Sequence, residues 1–316
     1  MTNKQKYKKF CQKENLPVFM SSDWLDNVCT DSMEWDVILY EKGGKIWGSF
    51  VYTIKKQYGF SLILMPKLTQ YLGPYIKYPE GQKYYKRLSW EKEIMNYFID
   101  NLPKFDYLNI NFHYSITNWL PFFWKGFNQV TRYSYIITNN ITLNELSRNF
   151  ETDIRRRRRK AEKFGVIVEN SEDIELLYNL ASMTFNRQKV KIPYTLNLLK
   201  KLYYNNKENL KINLAKYNGN YIAGNLLLIS KDSIIYLIGG VDPNYKDLGA
   251  MDLIQYESIK FALENNKKFD FEGSMIESIE KYFRGFGGIQ TQYFKINKIS
   301  SIFLRFILII YPKVIK

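Results

Sequence analysis

Carboxylate, hydroxyl and basic side chains are concentrated in one stretch near the end of the chain, DFEGSMIESIEKYFRGFGG, from Asp270 to Gly288. The stretch opens like a buried strand, becomes polar, and ends in aromatic, basic and glycine residues. A carboxylate such as Glu272 can take up a proton, and a cation such as Arg284 can stabilise negative charge. These residue types are compatible with a catalytic floor, with a phosphate-cradling loop, and with a turn that serves only the fold.

Histidine and cysteine chemistry has little room in this composition. The chain has two cysteines, Cys11 and Cys29, without a CxxC pair, and a single histidine, His113. A disulfide framework and a Cys/His zinc site are therefore excluded, no metal site is predicted, and any histidine-based catalysis would depend on His113 alone. The sequence also has neither a P-loop motif nor GxGxxG, so nucleotide hydrolysis and dinucleotide redox chemistry lack their usual marks.

The net charge of +15 predicts an acidic partner, such as a nucleic acid, a phosphorylated cofactor or an anionic membrane. A general richness in lysine, asparagine, isoleucine and tyrosine is an alternative source of that charge. The N-terminus has no apolar signal core, and no apolar run approaches the ~20 residues that span a bilayer. The prediction is a soluble, cytoplasmic protein, with association at the inner membrane face left open. The segment Ile302–Pro312, IFLRFILIIYP, is predicted either as a buried core element or as an interfacial membrane contact.

The elements that must position these side chains occur twice. The segments 35–52 and 212–229 each read as two strands joined at a Gly-Gly or Asn-Gly turn, and 105–137 resembles 269–296 in its Phe-Asp start and its basic-Gly-Phe core. Each half reads as helix, hairpin, strand, helix, strand, short helix, strand. The repeat predicts two α+β units in tandem, each a mixed sheet with helices on both faces.

Between the halves, the apolar spacing of LNELSRNFETDIRRRRRKAEKFG predicts one basic helix that ends at Gly165. Five consecutive arginines point in all directions around a helix, so Arg157 or Arg158 must lie near its apolar stripe. The outward arginines are interpreted either as a solvated helix face or as phosphate contacts. The predicted domains are an N-terminal unit at 1–142, the connecting helix at 143–165, and a C-terminal unit at 166–316. In one version, roughly the last 20 residues pack back on the first unit.

A second chemical candidate is VDPNYKDLGAMDLI, 241–254, where an apolar strand leads through a loop into a helix. Such a junction presents free backbone N–H groups and the positive end of the helix dipole to an anion. An ordinary strand-to-helix turn is the alternative. The segment Pro243–Ala250, Pro-x-Tyr-Lys-x-x-Gly-Ala, resembles the pyrophosphate loop of GNAT-type acyltransferases, which hold coenzyme A between a strand and a helix.

The tandem arrangement, the basic helix ending in RKAEKFGV, and the segments TNWLPFFWKGF, TFNRQ and FDFEGSMIESIEKYFRGFGG resemble the FemABX-like branch of the GNAT superfamily. The resemblance implies two tandem GNAT-like units and the transfer of an acyl or aminoacyl group from acyl-CoA or aminoacyl-tRNA to an amine. The acceptor it implies is a small-molecule or lipid-linked amine of a cell-envelope precursor: an amino sugar, a polysaccharide or a peptidoglycan intermediate. A catalytically inactive tandem protein that binds an anion, tRNA or a membrane surface is the alternative.

Attack of an amine on a thioester or ester needs no protein nucleophile, only orientation, a proton acceptor and donors for the oxyanion. The expected site lies between the halves, at the carboxyl ends of the second sheet's strands. In the position where the family has a lysine near the reacting carbonyl, this chain has Arg284, which keeps the charge but cannot give up a proton. The predicted catalytic residues are Glu272, Arg284 and Tyr236. The predicted cofactor-binding residues are Val241, Lys246, Gly249 and Ala250. The predicted substrate-binding residues are Arg187, Gln188, Ser274 and Glu277.

Overall fold

A computed structural model describes residues 1–29 and 32–310 of the chain. The chain divides into two compact units. Unit 1 is Met1–Arg132 together with the described residues from Gln292 onward, and unit 2 is Tyr133–Thr291. The divisions fall within two strands, β6 (Asn128–Ile137) and β12 (Ile289–Ile299).

Unit 1 follows the predicted order of helix, hairpin, strand, helix, strand and short helix. Its remaining elements are α1 (Asn3–Lys13), α2 (Ser22–Val28), β1 (Glu34–Lys42), β2 (Lys45–Gln57), β3 (Phe60–Leu64), β4 (Gly73–Ile76), α3 (Tyr84–Asp100), β5 (Tyr107–Asn111), α4 (Leu120–Trp124) and α11 (Ile302–Ile310). A 3₁₀ turn at Val18–Met20 precedes α2.

Unit 2 repeats that order. Its remaining elements are α5 (Leu143–Arg148), α6 (Thr152–Lys163), β7 (Ile167–Ser171), α7 (Ile174–Arg187), α8 (Leu196–Asn205), β8 (Leu210–Tyr217), β9 (Asn220–Ile229), β10 (Ser233–Val241), α9 (Ala250–Glu264), β11 (Lys268–Asp270) and α10 (Glu277–Arg284). The predicted tandem of two units, with mixed strand directions and flanking helices, is confirmed.

The strands of the two units have the same pattern of directions. In unit 1 the order is β1-β2-β3-β5-β12, with β4 also paired to β2, and in unit 2 it is β7-β8-β9-β10-β11-β6. In both, a hairpin and a further antiparallel strand are followed by a parallel neighbour and then by an antiparallel last strand. The last strand is exchanged between the halves of the sequence. The strand β12, from the chain's end, completes unit 1, and β6, from the first half, completes unit 2.

The hairpin turns explain why the repeat can be recognised in the sequence. Gly43 and Gly44 join β1 to β2 with φ of +59° and +70°, and Asn218 and Gly219 join β8 to β9 with φ of +47° and +82°. Positive φ at both central residues is the geometry of the tight hairpin turn that Gly-Gly and Asn-Gly favour.

The single connecting helix predicted for 143–165 is wrong, because the chain forms two helices, α5 and α6. The helix stops at Arg148, Glu151 is extended with φ −53° and ψ 142°, and its N–H donates to the Gly285 carbonyl at 2.8 Å. Phe150 between them is buried in the unit 2 core. Tertiary contacts at the Asn149–Glu151 junction therefore replace one turn of helix. The predicted end of the helix at Gly165, which has φ +77°, is confirmed.

The basic-Gly-Phe cores of the two halves serve the fold, as the repeat predicts. Phe127 is buried in the core of unit 1, beside Phe122, and Phe286 is buried in the core of unit 2, beside Phe271. Among the described residues, no helix is both long enough and apolar enough to cross a bilayer.

Candidate functional site

Unit 2 holds a buried carboxyl group at the end of β11. Asp270 is only 2% exposed, and its Oδ1 accepts hydrogen bonds from the Ser134 hydroxyl and, at 2.8 Å, from the Glu272 N–H. Burial raises the pKa of Asp270 to about 6, and the two hydrogen bonds offset only part of that increase. This carboxyl group therefore changes its charge near neutral pH.

Glu272 follows in a sharp turn, where its backbone conformation is unfavourable. It has φ +58°, a left-handed conformation that is rare for a residue with a side chain, and Gly273 follows with φ +70°. Gly273 cannot be replaced without a shift, since a Cβ there would lie 1.9 Å from the Tyr133 carbonyl oxygen. Strained backbone of this kind is concentrated at functional sites.

The turn directs the Glu272 side chain inward. Its Oε1 atom is buried although the residue as a whole is partly exposed. Burial, and then the charge of Asp270, raise the pKa of Glu272 well above its ordinary value. A carboxylate in this state is a better proton acceptor than an exposed glutamate.

Tyr236 lies beside Glu272. Two residues of one catalytic site must lie close together, and both are predicted to be catalytic. It sits at a bulge in β10, where the register with β9 shifts between Tyr236 and Ile238. Its hydroxyl occupies the space next to Gly239, where a Cβ would be 1.7 Å from it. Burial raises the pKa of Tyr236, and the charge of Glu272 raises it further, so the phenol stays protonated at neutral pH and can donate a hydrogen bond.

Three further polar side chains near Tyr236 were missed by the sequence reasoning. Gln255 on α9 is fully buried, and the hydroxyl groups of Tyr282 on α10 and of Tyr194 are also buried. Within the described part of the chain, neither the Gln255 amide atoms nor these two hydroxyls have a hydrogen-bond partner. Gln255 is close enough to lower the pKa of Tyr236, although the pair does not meet hydrogen-bond geometry. Because buried polar groups are normally paired, this cluster is suited to a polar ligand.

The sequence carries a signal for Gln255. Ile254, Ser258 and Ala262 recur at helical spacing on the buried face of α9, and Gln255 is buried with them. Tyr194 and Tyr282 carry no comparable signal, because only the packing brings their loop and helix to β10.

An arginine of α6 is anchored to α9. Arg157 donates two hydrogen bonds of 3.0 Å, through Nε and Nη2, to the two carboxylate oxygens of Asp252, which is 4% exposed. Burial raises the pKa of Asp252, although the bond to Arg157 lowers it in part. The same bond raises the pKa of Arg157. The neighbouring Arg158 stacks over the Tyr256 ring at 4.1 Å. The prediction that Arg157 or Arg158 lies at the apolar stripe is therefore confirmed for both.

The predicted pyrophosphate loop has the expected strand-loop-helix form. A 3₁₀ turn at Pro243–Leu248 leads from β10 to Gly249, which has φ +78° and begins α9. The N-terminus of α9 is, however, covered by α6. A Cβ at Gly249 would lie 2.1 Å from the Arg157 carbonyl oxygen, Ala250 is 1% exposed, and Lys160 Nζ donates to the Asp247 carbonyl at 2.8 Å.

The four residues predicted to bind a cofactor do not fit a pyrophosphate in this conformation. The Arg157 carbonyl oxygen lies against Gly249 at the start of α9 and repels phosphate, and the Arg157 guanidinium is already paired with Asp252. The N–H of Val241 already donates to Thr184 Oγ1 at 3.0 Å, and Lys246 is exposed. We therefore derive no catalytic step through coenzyme A at this loop.

Of the remaining predicted residues, all except the half-buried Ser274 are exposed. Arg284 is 61% exposed and pairs with Glu280 at 3.2 Å, and the charge acting on Glu272 comes from Asp270. Ser274 Oγ accepts a hydrogen bond from the Ile276 N–H at 3.0 Å. Three further predicted residues are exposed at helix ends: Arg187, Gln188 and Glu277.

Comparison with known proteins agrees with this picture. Residues 148–283 match the acetyltransferase (GNAT) domain family. No curated protein matches the sequence. Among solved structures, FemX is similar over 93% of this chain and 96% of its own, with a TM-score of 0.70 at 14% identity.

Two other solved structures share the fold. L-PGS from Bacillus licheniformis is similar over 96% of this chain and 95% of its own, with a TM-score of 0.56 at 11% identity. A tandem GNAT protein from the clavulanic acid biosynthesis pathway covers 86% of this chain and 84% of its own, with a TM-score of 0.51 at 6% identity.

The fold is thus a tandem GNAT fold, and the matched domain, which lies within unit 2, is of the acetyltransferase type. The fold shared with FemX agrees with the resemblance of the motifs to the FemABX-like branch.

Proposed function

We propose that this protein transfers an acyl or aminoacyl group to an amine of a cell-envelope precursor, with Glu272 and Tyr236 in the reaction centre. The GNAT domain match supports acyl transfer. The fold shared with FemX and L-PGS supports an envelope acceptor, an amino sugar, a polysaccharide or a peptidoglycan intermediate. The non-catalytic alternative is disfavoured by the acyltransferase class.

The observation that carries the proposal is the group of buried polar side chains around Tyr236. Glu272 is strained and has a raised pKa, Tyr236 stays protonated, and Gln255 and Tyr282 hold polar atoms without partners among the described residues. A structural core would not retain so many unsatisfied groups, each of which costs about 1–3 kcal/mol. A bound substrate would satisfy them.

The chemistry follows from these residues. The acceptor amine attacks the donor carbonyl carbon, the new C–N bond forms, and the bond from that carbon to the leaving sulfur or oxygen breaks. Glu272 takes the proton that the attacking nitrogen loses. The Tyr236 hydroxyl and the Gln255 amide are donors for the developing oxyanion or the leaving group. By resemblance, Arg284 would add electrostatic stabilisation, and Arg187, Gln188, Ser274 and Glu277 would contact substrate.

The donor is either an acyl-CoA or an aminoacyl-tRNA. GNAT domains generally use acyl-CoA, which supports the first. The covered N-terminus of α9 supports a donor that does not require the pyrophosphate loop. If acyl-CoA is the donor, Val241, Lys246, Gly249 and Ala250 would contact it only after α6 moves away.

The test is turnover with both donors and a panel of amine acceptors. We expect Glu272→Gln to lower kcat by about 10²-fold or more, since a positioned base contributes on this order, and Tyr236→Phe to lower it about tenfold. The matched control is Glu264→Gln, an exposed glutamate at the end of α9. Full activity of both site variants with a donor that the wild type uses would overturn the assignment of the reaction centre.

The pH dependence provides a second readout. Because Glu272 must be ionised to accept a proton and its pKa is raised, kcat/KM should rise with pH through a value well above the ordinary range of glutamate. Glu272→Gln should remove that rising limb, whereas Glu264→Gln should keep it.

A further inference from the structure

The C-terminal helix of unit 1 is almost entirely apolar. Eight of the nine residues of α11 are isoleucine, leucine or phenylalanine, and Arg305 is the exception. The prediction of a buried core element is wrong for most of it, because only Leu304 is buried. Tyr311 and Pro312, which the predicted segment also included, lie outside the described residues.

The exposed residues form one stripe. Five large side chains of α11 are 62–72% exposed: Ile302, Phe303, Phe306, Ile309 and Ile310. At about 100° per residue they fall within an arc of about 120°, while Leu304 points to the opposite side, toward the rest of unit 1. An amphipathic helix normally turns its apolar face inward, whereas α11 has apolar residues on both faces.

The stripe continues onto the neighbouring hairpin. Phe303 stacks on Phe60, with ring centroids 6.1 Å apart, at the start of β3. Tyr58, in the turn that precedes β3, is 78% exposed. A contiguous exposed apolar patch of this kind marks an interaction surface.

Cations border this patch. Arg305 lies at the edge of the stripe on the helix, and its Nη2 donates to the Ile299 carbonyl at 3.3 Å, which fixes the guanidinium there. Lys55 is the cross-strand partner of Leu62 and so shares a sheet face with Phe60. The whole chain carries a net charge of +15. Such a charge opposes a second copy of the chain and favours an anionic surface.

We propose that the α11 stripe, defined as Ile302, Phe303, Phe306, Ile309 and Ile310, docks unit 1 on an anionic lipid bilayer. The helix is too short to span, at about 1.5 Å per residue, so it lies in the plane of the interface with its apolar stripe among the acyl chains. Arg305 and Lys55 remain at the level of the headgroups and contact lipid phosphates. The proposal does not depend on the chemistry proposed for unit 2.

The experiment is flotation of the full-length protein with vesicles of phosphatidylcholine, with and without phosphatidylglycerol, in the absence of donor and acceptor. We expect binding to the phosphatidylglycerol vesicles that weakens with added salt. The triple variant Phe303→Ser, Phe306→Ser, Ile309→Ser should lose at least tenfold in affinity. The matched control is Ile167→Ser with Ile289→Ser, because both of these isoleucines are 63% exposed in unit 2.

A second variant separates loss of docking from loss of folding. Arg305→Glu leaves the apolar stripe intact and should weaken binding to phosphatidylglycerol vesicles on the order of tenfold. Circular dichroism and Tm of all variants should match the wild type, because the replaced side chains are exposed. Equal vesicle binding by the wild type and the triple variant would overturn the proposal. So would a wild type that fails to float but forms dimers that the triple variant abolishes in sedimentation velocity, since the stripe would then bind a second copy.

Discussion

Glu272 and Asp270 lie two positions apart at the end of β11, and the backbone treats them differently. Asp270 ends the strand as a buried carboxyl group that accepts two hydrogen bonds. Glu272 instead adopts positive φ, buries one carboxylate oxygen and raises the pKa of Tyr236 through its charge. Two carboxyl groups that are two residues apart therefore differ in role: Asp270 anchors the turn, and Glu272 is the one proposed to accept a proton.

The glycines of the two basic-Gly-Phe cores show where the halves diverge. Gly126 in unit 1 has φ +75°, but its counterpart Gly285 has φ −61°, and the left-handed residue is instead Gly287, with φ +71°. The extra Gly287-Gly288 thus moves the turn two residues along the chain in unit 2. The segment Glu272–Ser274, which has no counterpart in the first half, belongs to the candidate site.

At this scale we predict that Asp270 contributes to the pH dependence of stability. Its pKa of about 6 in the folded protein exceeds the ordinary value of 3.8, so the folded state binds the proton more tightly than the unfolded state. Stability should therefore fall as pH rises from about 4 to about 6. Asp270→Asn keeps an acceptor for Ser134 and should make the protein more stable than wild type at pH 8, by about 3 kcal/mol.

Urea unfolding at pH 4, 6 and 8 measures this effect. Asp232→Asn, at an exposed aspartate, is the control and should follow the wild-type profile. A wild-type stability that increases between pH 4 and 6, with no difference for Asp270→Asn, would contradict the prediction.

At the scale of elements, α6 is held on α9 by one buried ion pair. The five arginines are alike in sequence, yet Arg157 forms a bidentate pair with buried Asp252, whereas Arg156 is 75% exposed and meets only Asp153. The helix phase, fixed by the buried Ile154 and Ala161, decides which arginine faces inward.

We therefore predict that two adjacent arginines differ in their effect on stability. Arg157→Ala leaves the Asp252 charge buried without its partner and should lower the free energy of unfolding by roughly 2 kcal/mol. Arg156→Ala removes only an exposed pair and should change it by less than about 0.5 kcal/mol. Chemical denaturation measures both, and equal effects of the two variants would show that the pair does not anchor α6.

At the scale of the whole molecule, the order of the strands along the chain does not match their distribution between the two units. The strand β12 is the last strand of the repeat in the second half, but its residues from Gln292 belong to unit 1, where Ile296 is fully buried. Its pairing with β5 runs from Lys295 opposite Asn111 to Ile299 opposite Tyr107.

This exchange predicts that unit 1 cannot complete its fold without the end of the chain. A chain truncated after Gly288 keeps Met1–Arg132 but should lose cooperative unfolding of unit 1, because β5 keeps β3 but loses its antiparallel partner β12, and the core loses Phe294 and Ile296. A chain truncated after Ser300 keeps β12, and α11 adds only Leu304 to the buried residues, so it should fold. Hydrogen exchange of β5 amides distinguishes the two, and protection of β5 in the shorter chain would contradict the exchange.

The order of elements, both hairpins, the tandem repeat and the strand-loop-helix at 241–254 could be predicted from the sequence, because turn residues and apolar spacing act over a few neighbouring residues. The motifs that resemble the FemABX-like branch could also be recognised, whereas the catalytic role of Glu272 and Tyr236 remains a prediction. Only the tertiary structure placed Gln255, Tyr194 and Tyr282 around Tyr236, covered the first turn of α9 with α6, and broke the helix predicted at 143–165. The tertiary structure also placed β12 in unit 1 and β6 in unit 2, and it left the α11 stripe exposed. Each of these depends on contacts between residues far apart in the chain, which are decided by how packed surfaces fit together, not by local preference.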